Sequence, residues 1–104
     1  MLENFLQGNQ HQLETFGDTM TDNITEILEE RGSRYGDFYG HARITQNIKH
    51  AMSDSPNWKK LRVDQRECLE MIAHKIGRIL NGDPDYQDSW TDIAGYARRV
   101  EETL

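Results

Sequence analysis

The sequence is poor in residues that would name a chemistry outright. It holds one cysteine and two prolines in 104 residues. A lone Cys68 closes no internal disulfide, which fits a reducing compartment, and it leaves no cysteine cluster for zinc. His11, His41 and His50 lack the mutual spacing of metal ligands. No apolar run approaches the roughly 20 residues of a membrane span. Glu3 stands where a secretory signal would be positive, so a cytoplasmic location is expected and no membrane partner. No phosphate loop ending in Gly-Lys-Ser/Thr, no Gly-x-Gly-x-x-Gly and no nucleophile elbow is present. Period-two alternation is missing over any useful length, which excludes strands from the expected fold. Residues 1–30 contain no Lys or Arg at all.

What is present fits one small domain: 36% hydrophobic residues, 29% charged, and a formal charge of −6. The charge is segregated. Residues 1–30 carry about −7, residues 31–82 about +5, and residues 83–104 about −4. A basic middle between acidic ends reads either as an anion site or as the partner that neutralises those ends on folding.

The pattern along the chain predicts an N-terminal arm over 1–20, rich in Gln, Asn and Thr, followed by a helical domain over 21–104. The first helix is expected from Thr21 or Asp22 to Arg31, with Gly32 ending it in a left-handed conformation. A second runs from about 37 to 52, with Phe38, Ala42, Thr45, Ile48 and Met52 on one face. Trp58 and Leu61 pin the following loop to the core. The third starts with a capping box of Asp64 and Glu67, staples Val63 to Cys68, and stops at Gly82. Its apolar face holds Cys68, Leu69, Ile72, Ala73, Ile76, Ile79 and Leu80; Glu67, Glu70, His74 and Arg78 lie opposite. Ser89, with Asp92, caps a fourth helix whose stripe is Trp90, Ile93, Ala97, Val100 and Leu104. The expected fold is all-α: a compact bundle of four main helices with an N-terminal arm.

Three groups of residues could act on a ligand. In the connector 31–37, two glycines let the backbone approach closely, and Arg31, Arg34 and Tyr35 beside a helix start suit a phosphate. The competing reading is a tight turn in which Tyr35 packs and Asp37 caps the next helix. The second group is Lys75 and Arg78 with Asp88, Asp92 and Tyr96. If the last two helices pack antiparallel, Asp92 meets Lys75 or Arg78 in a partly buried ion pair, the alternative being recognition of a phosphate or base. The third group, Glu67, Glu70 and His74, joined by Asp88 and Asp92, could hold Mg²⁺ on its carboxylates; otherwise Glu67 caps, Glu70 is a solvated charge paired with His74 or Arg66, and His74 is exposed. Cys68 reads as an inert buried thiol.

The ordered set Glu30-Arg31-Gly32, Tyr35-Gly36-Asp37-Phe38, Lys75-x-x-Arg78 and Asp88-Ser89-Trp90-Thr91-Asp92-Ile93-Ala94-Gly95-Tyr96-Ala97 resembles a family of small uncharacterised domains of tailed phages and prophages. The resemblance spans residues 24–98. It implies a phage or prophage origin, hence the host cytoplasm, and a compact helical fold, but no reaction. Gly77 and His74 depart from the apolar residues expected in the third helix. Glu67-x-x-Glu70 is also faintly similar to the MazG-type all-α nucleotide pyrophosphohydrolases, although Asp88 and Asp92 are spaced differently from the second half of their metal motif.

These features lead to three expectations. The first is a non-catalytic protein binding a phosphorylated nucleotide-like ligand through Arg31, Arg34, Tyr35, Lys75, Arg78, Trp90, Asp92 and Tyr96, sequestering a host signal or modulating nucleotide metabolism, with no cofactor. The second is a Mg²⁺-dependent pyrophosphohydrolase using Glu67, Glu70, Asp88 and Asp92. The third is an acidic protein-binding inhibitor of a host enzyme. Direct nucleic-acid binding is not expected, because the net charge is adverse and no basic and aromatic residues interleave. Small size and the detached arm predict a homo-oligomer.

Overall fold

Each of the four stretches with apolar residues at helical spacing is a helix in the computed structural model, which describes residues 18–104, with side-chain surroundings from Asn23 onward. They are α1 (Asp18–Tyr35), α2 (Phe38–Ser53), α3 (Val63–Asn81) and α4 (Gln87–Glu101), with one 3₁₀ turn, Trp58–Lys60, before α3. No strand occurs among the described residues, and none of their helices is long and apolar enough to cross a membrane. The all-α expectation holds. The arm assigned to residues 1–20 lies, up to residue 17, outside the described residues.

The chain divides into two compact units, residues 1–31 and 32–104. In the first, the described part is helical from Asp18, with Ile24 and Ile27 half-buried and Leu28 exposed. α1 continues through Gly32 into the second unit, so the expected stop at Gly32 is corrected: Gly36 takes the left-handed turn, with φ of 76°. A glycine inside a helix costs about 1 kcal/mol but does not by itself terminate it. Termination comes from the next turn. The Gly36 N–H bonds back to the Gly32 carbonyl at 2.9 Å, and its Cα abuts the Asn81 backbone carbonyl, leaving no room for a Cβ.

In the second unit α3 is packed by α2 on one side and α4 on the other. Asp37 caps α2, its carboxylate accepting from the Gly40 N–H at 2.9 Å. The predicted start of α3 is shifted. The N-cap is Arg62, whose N–H donates to the Gln65 side chain at 2.9 Å, while Glu67 is exposed. Asp64 instead pairs with Arg62 at 3.0 Å, which holds its carboxyl below the ordinary range. Val63 is 81% exposed and staples to nothing. Trp58 is half-buried, and Arg66 ties its turn down by donating to the Trp58 and Lys59 carbonyls.

The start of α4 is also corrected. It begins at Gln87 without a side-chain cap, and Ser89 is buried inside the helix. The turn before it supplies the fixing that a cap would have given: Asp83 accepts from the Asp85 N–H, and the Trp90 indole donates to the Pro84 carbonyl at 2.8 Å. Leu104 lies beyond the helix end and is exposed.

The interior is unusual in what fills it. Among the described residues the buried apolar side chains are Cys68 and Ala73, both small, and His41, Thr45, Lys75, Arg78 and Ser89 are buried as well. Among the described residues no large apolar side chain is completely buried. Arg78, expected on the outer polar face of α3, is therefore an interior residue.

Candidate functional site

Two arginines and two tyrosines meet where the end of α1, the last turn of α3 and the entry to α4 converge. The Arg34 guanidinium lies 4.4 Å from the Tyr86 ring centroid, and the Arg78 guanidinium 4.2 Å from that of Tyr35. The two phenol rings stand edge to face at 5.9 Å. Contacts of both kinds are attractive because the ring face is electron-rich and its edge is not. Arg78 is 7% exposed, whereas Arg34, Tyr35 and Tyr86 are half-buried and give the cluster its access to the surface.

The backbone around the cluster is fixed by hydrogen bonds. The Asn81 amide donates to the Tyr35 carbonyl at 2.8 Å and the Asp37 carbonyl at 2.9 Å. The Asp83 N–H reaches the Arg34 carbonyl at 2.6 Å, and Gly82 sits so close to the Tyr35 backbone that no side chain fits. Tyr86 donates its hydroxyl proton to Asp88 at 2.9 Å, and that bond to a carboxylate raises the phenol above its ordinary value. The connector 31–37 is helical through Tyr35 and turns at Gly36 and Asp37, with Tyr35 packing and Asp37 capping as in the competing reading, and it presents Arg34 and Tyr35 to the cluster.

Other predicted site residues are distributed elsewhere. Lys75 pairs with Asp92 at 2.9 Å between α3 and α4, with side-chain exposures of 11% and 44%. The ion pair anticipated for packed helices is formed, and it commits both side chains to each other. Tyr96 contributes its backbone carbonyl, which accepts from the buried Cys68 thiol at 2.9 Å. Burial pushes that thiol up, as does the charge of Asp64, and the buried position expected of Cys68 is found. Trp90 is exposed with its indole N–H on Pro84. Arg31 belongs to the first compact unit.

The four carboxylates of the metal reading are not assembled. No group of three or more His, Cys, Asp or Glu able to hold an ion exists among the described residues. Asp92 is engaged by Lys75 and Asp88 by Tyr86.

Sequence reasoning missed Tyr86, Asn81 and His41. Tyr86 looked like loop, and no periodicity marks a residue that precedes a helix. His41 could have been found, since it shares a face with Thr45 one turn on. It is buried against α3, with its Nε2 3.0 Å from the His74 carbonyl and its ring edge-to-face with His74 at 4.5 Å.

No curated protein and no solved structure matches the chain at a significant level. A family model does, over residues 18–103, and the chain belongs to the family described as a domain of unknown function (DUF6378).

Proposed function

We propose that this chain binds a phosphorylated nucleotide-like ligand at the cluster of Arg34, Tyr35, Arg78 and Tyr86, without transforming it. The observation that carries this reading is the pairing of two guanidinium groups with two tyrosine rings on one fixed turn. Guanidinium suits phosphate through its fork of donors, and a phenol ring suits a base through its face. Arg34 and Tyr86, both half-buried, are the pair a ligand reaches first; Arg78 supplies charge from below. Of the residues expected from the sequence, Arg31, Lys75, Trp90, Asp92 and Tyr96 are not part of the proposed site, and Tyr86 joins it. In the phage setting that the sequence resemblance implies, such a protein would sequester a host nucleotide signal. The Mg²⁺ pyrophosphohydrolase reading has no support from the geometry, because its four carboxylates are not gathered.

Titration calorimetry with nucleoside mono-, di- and triphosphates and cyclic nucleotides tests the proposal. Binding is expected to require the phosphate, and to weaken at least about tenfold in Arg34→Ala and Tyr86→Ala, one lost charge-assisted bond being worth about 1.5–3 kcal/mol. Silence across the panel, or full affinity in both variants with their helicity intact, overturns it.

A second reading has one observation in its favour. The whole excess of −6 falls in residues 1–31, because residues 32–104 hold eleven cations and eleven carboxylates. An acidic segment on a neutral body suits electrostatic capture of a basic host protein. Salt-sensitive recovery of one stoichiometric host partner, lost when the carboxylates of 1–31 are replaced by amides, would favour it over the nucleotide.

A further inference from the structure

The face of α3 that turns away from both neighbouring helices carries Leu69, Ile72, Ile76, Ile79 and Leu80 within about 100° of arc. Contacts mark its borders. On one side Cys68 and Lys75 reach Tyr96 and Asp92 of α4; on the other, Gly77 meets Thr45 and His41 of α2. Between these borders Leu69 is 40% and Leu80 66% exposed, and the three isoleucines are only half-buried. α4 extends the surface, since a groove of about 270 Å³ runs between Leu69 and Ile72 of α3 and Ala97 and Val100 of α4.

We propose that a second copy of this chain covers that face, with the two α3 helices crossing antiparallel about a two-fold axis. The stripe is self-complementary under that operation. Reflection about position 74 exchanges Leu69 with Ile79 and Ile72 with Ile76, so these four apolar side chains meet one another, while Leu80 falls opposite Cys68 at the α4 border of the face. Charge favours the same occupant. The unit 32–104 carries eleven positive and eleven negative side chains, so two such units meet without net repulsion, and the stripe presents no charge that would select a strongly acidic or basic partner. The area is adequate too. Helices of 15 to 19 residues are about 22–28 Å long, and three lying 8–10 Å apart span a face on the order of 600–700 Å². A standard interface takes about 600–1,000 Å² from each partner, so the three-helix layer reaches the lower part of that range.

Sedimentation equilibrium of the full chain at about 0.15 M salt, where surface charges are screened, reads the outcome directly. The expected mass is twice the 12.1 kDa of the chain. Leu69→Glu and Leu80→Lys both alter exposed positions, so each should retain the helical circular dichroism of the parent and sediment as a monomer. Mixed in equal amounts, they should form a heterodimer, because the new glutamate of one copy then lies opposite Ile79 of the other, one residue from its new lysine and within reach of that long side chain, across an otherwise unchanged stripe. A full chain that stays monomeric up to about 100 μM, above the Kd range of useful homodimers, overturns the proposal. So does a dimer that survives both substitutions. A mixture that remains monomeric overturns the antiparallel arrangement. None of these readings depends on nucleotide binding.

Discussion

Gly77 of α3 lies against the Thr45 hydroxyl of α2 so closely that a methyl group in place of its hydrogen would overlap it, and the His41 ring stands just beyond at 2.9 Å from that methyl position. The two helices owe their approach to this missing side chain. Both residues it meets are buried, so neither can swing into solvent to make room.

Gly77→Ala is therefore expected to destabilise the domain by about 1–3 kcal/mol, the usual cost of overpacking, despite alanine's better helix propensity. Gly95 in α4 provides the control. Nothing lies within 4 Å of its added Cβ, so Gly95→Ala should stabilise by about 0.5–1 kcal/mol. Urea unfolding of the two variants should give midpoints that move in opposite directions. Midpoints moving together would show that the helix crossing does not depend on Gly77.

Asn81→Ala removes both hydrogen bonds that hold the carbonyls of Tyr35 and Asp37, while leaving the backbone of α3 intact. A loss of about 1–3 kcal/mol is expected from carbonyls left without a partner. The more specific consequence concerns Tyr35. Once its turn is released, the ring no longer holds its place under Arg78, and the near-ultraviolet circular dichroism of the tyrosines should fall. An unchanged tyrosine signal would detach the Arg–Tyr cluster from the Asn81 anchor.

Removing either member of the Lys75–Asp92 pair should have unequal effects. Lys75 is 11% exposed at its side chain and Asp92 44%, so a stranded ammonium would stay desolvated whereas a stranded carboxylate reaches water. Lys75→Met keeps the apolar stem and is expected to cost less than about 1 kcal/mol. Asp92→Ala leaves the buried charge unpaired and should cost about 1–2 kcal/mol more than that, a figure reduced for the solvent screening of the carboxylate. Denaturant midpoints for the two variants check the order, and equal losses would sink the argument.

The same asymmetry marks what could be read from the sequence. Helix number and type were legible because Ile24, Ile27, Ile48, Ile72, Ile93 and their neighbours repeat at 3.6 residues, and a solvent-facing polar side adds contrast. The Asp92 pairing followed from placing two helices side by side. Helix starts were less legible. Asp64 and Ser89 look like caps, but Gln65 and the Asp83–Pro84–Trp90 turn hold those ends instead. The burial of Arg78 was invisible for another reason. On a helical wheel it falls among charged residues, and only the arrival of Tyr35 from a segment 43 positions away makes its site an interior one. Tyr86 stayed hidden likewise, because its role depends on Arg34, which is distant in the chain.

Cys68 gives the domain a dependence on alkaline pH. Its thiol donates to the Tyr96 carbonyl and is buried, and burial raises it above the ordinary thiol value, with the charge of Asp64 adding to the effect. The folded state thus favours the neutral thiol more than the unfolded chain does. Stability from this source is fully present below the unfolded pKa and is lost as pH rises through the higher folded value. Tyr86 is also shifted upward, so the comparison must be with Cys68→Ala rather than with neutral pH alone. Between pH 8 and about 10.5, the urea midpoint of the parent should fall more steeply than that of Cys68→Ala. The native thiol should also react with a disulfide reagent at pH 8 more slowly than the unfolded one, by on the order of tenfold, since attack requires an exposed thiolate. Equal pH slopes, or a native thiol that reacts as fast as the unfolded one, would mean that Cys68 is reached by solvent and its hydrogen bond to Tyr96 is not maintained.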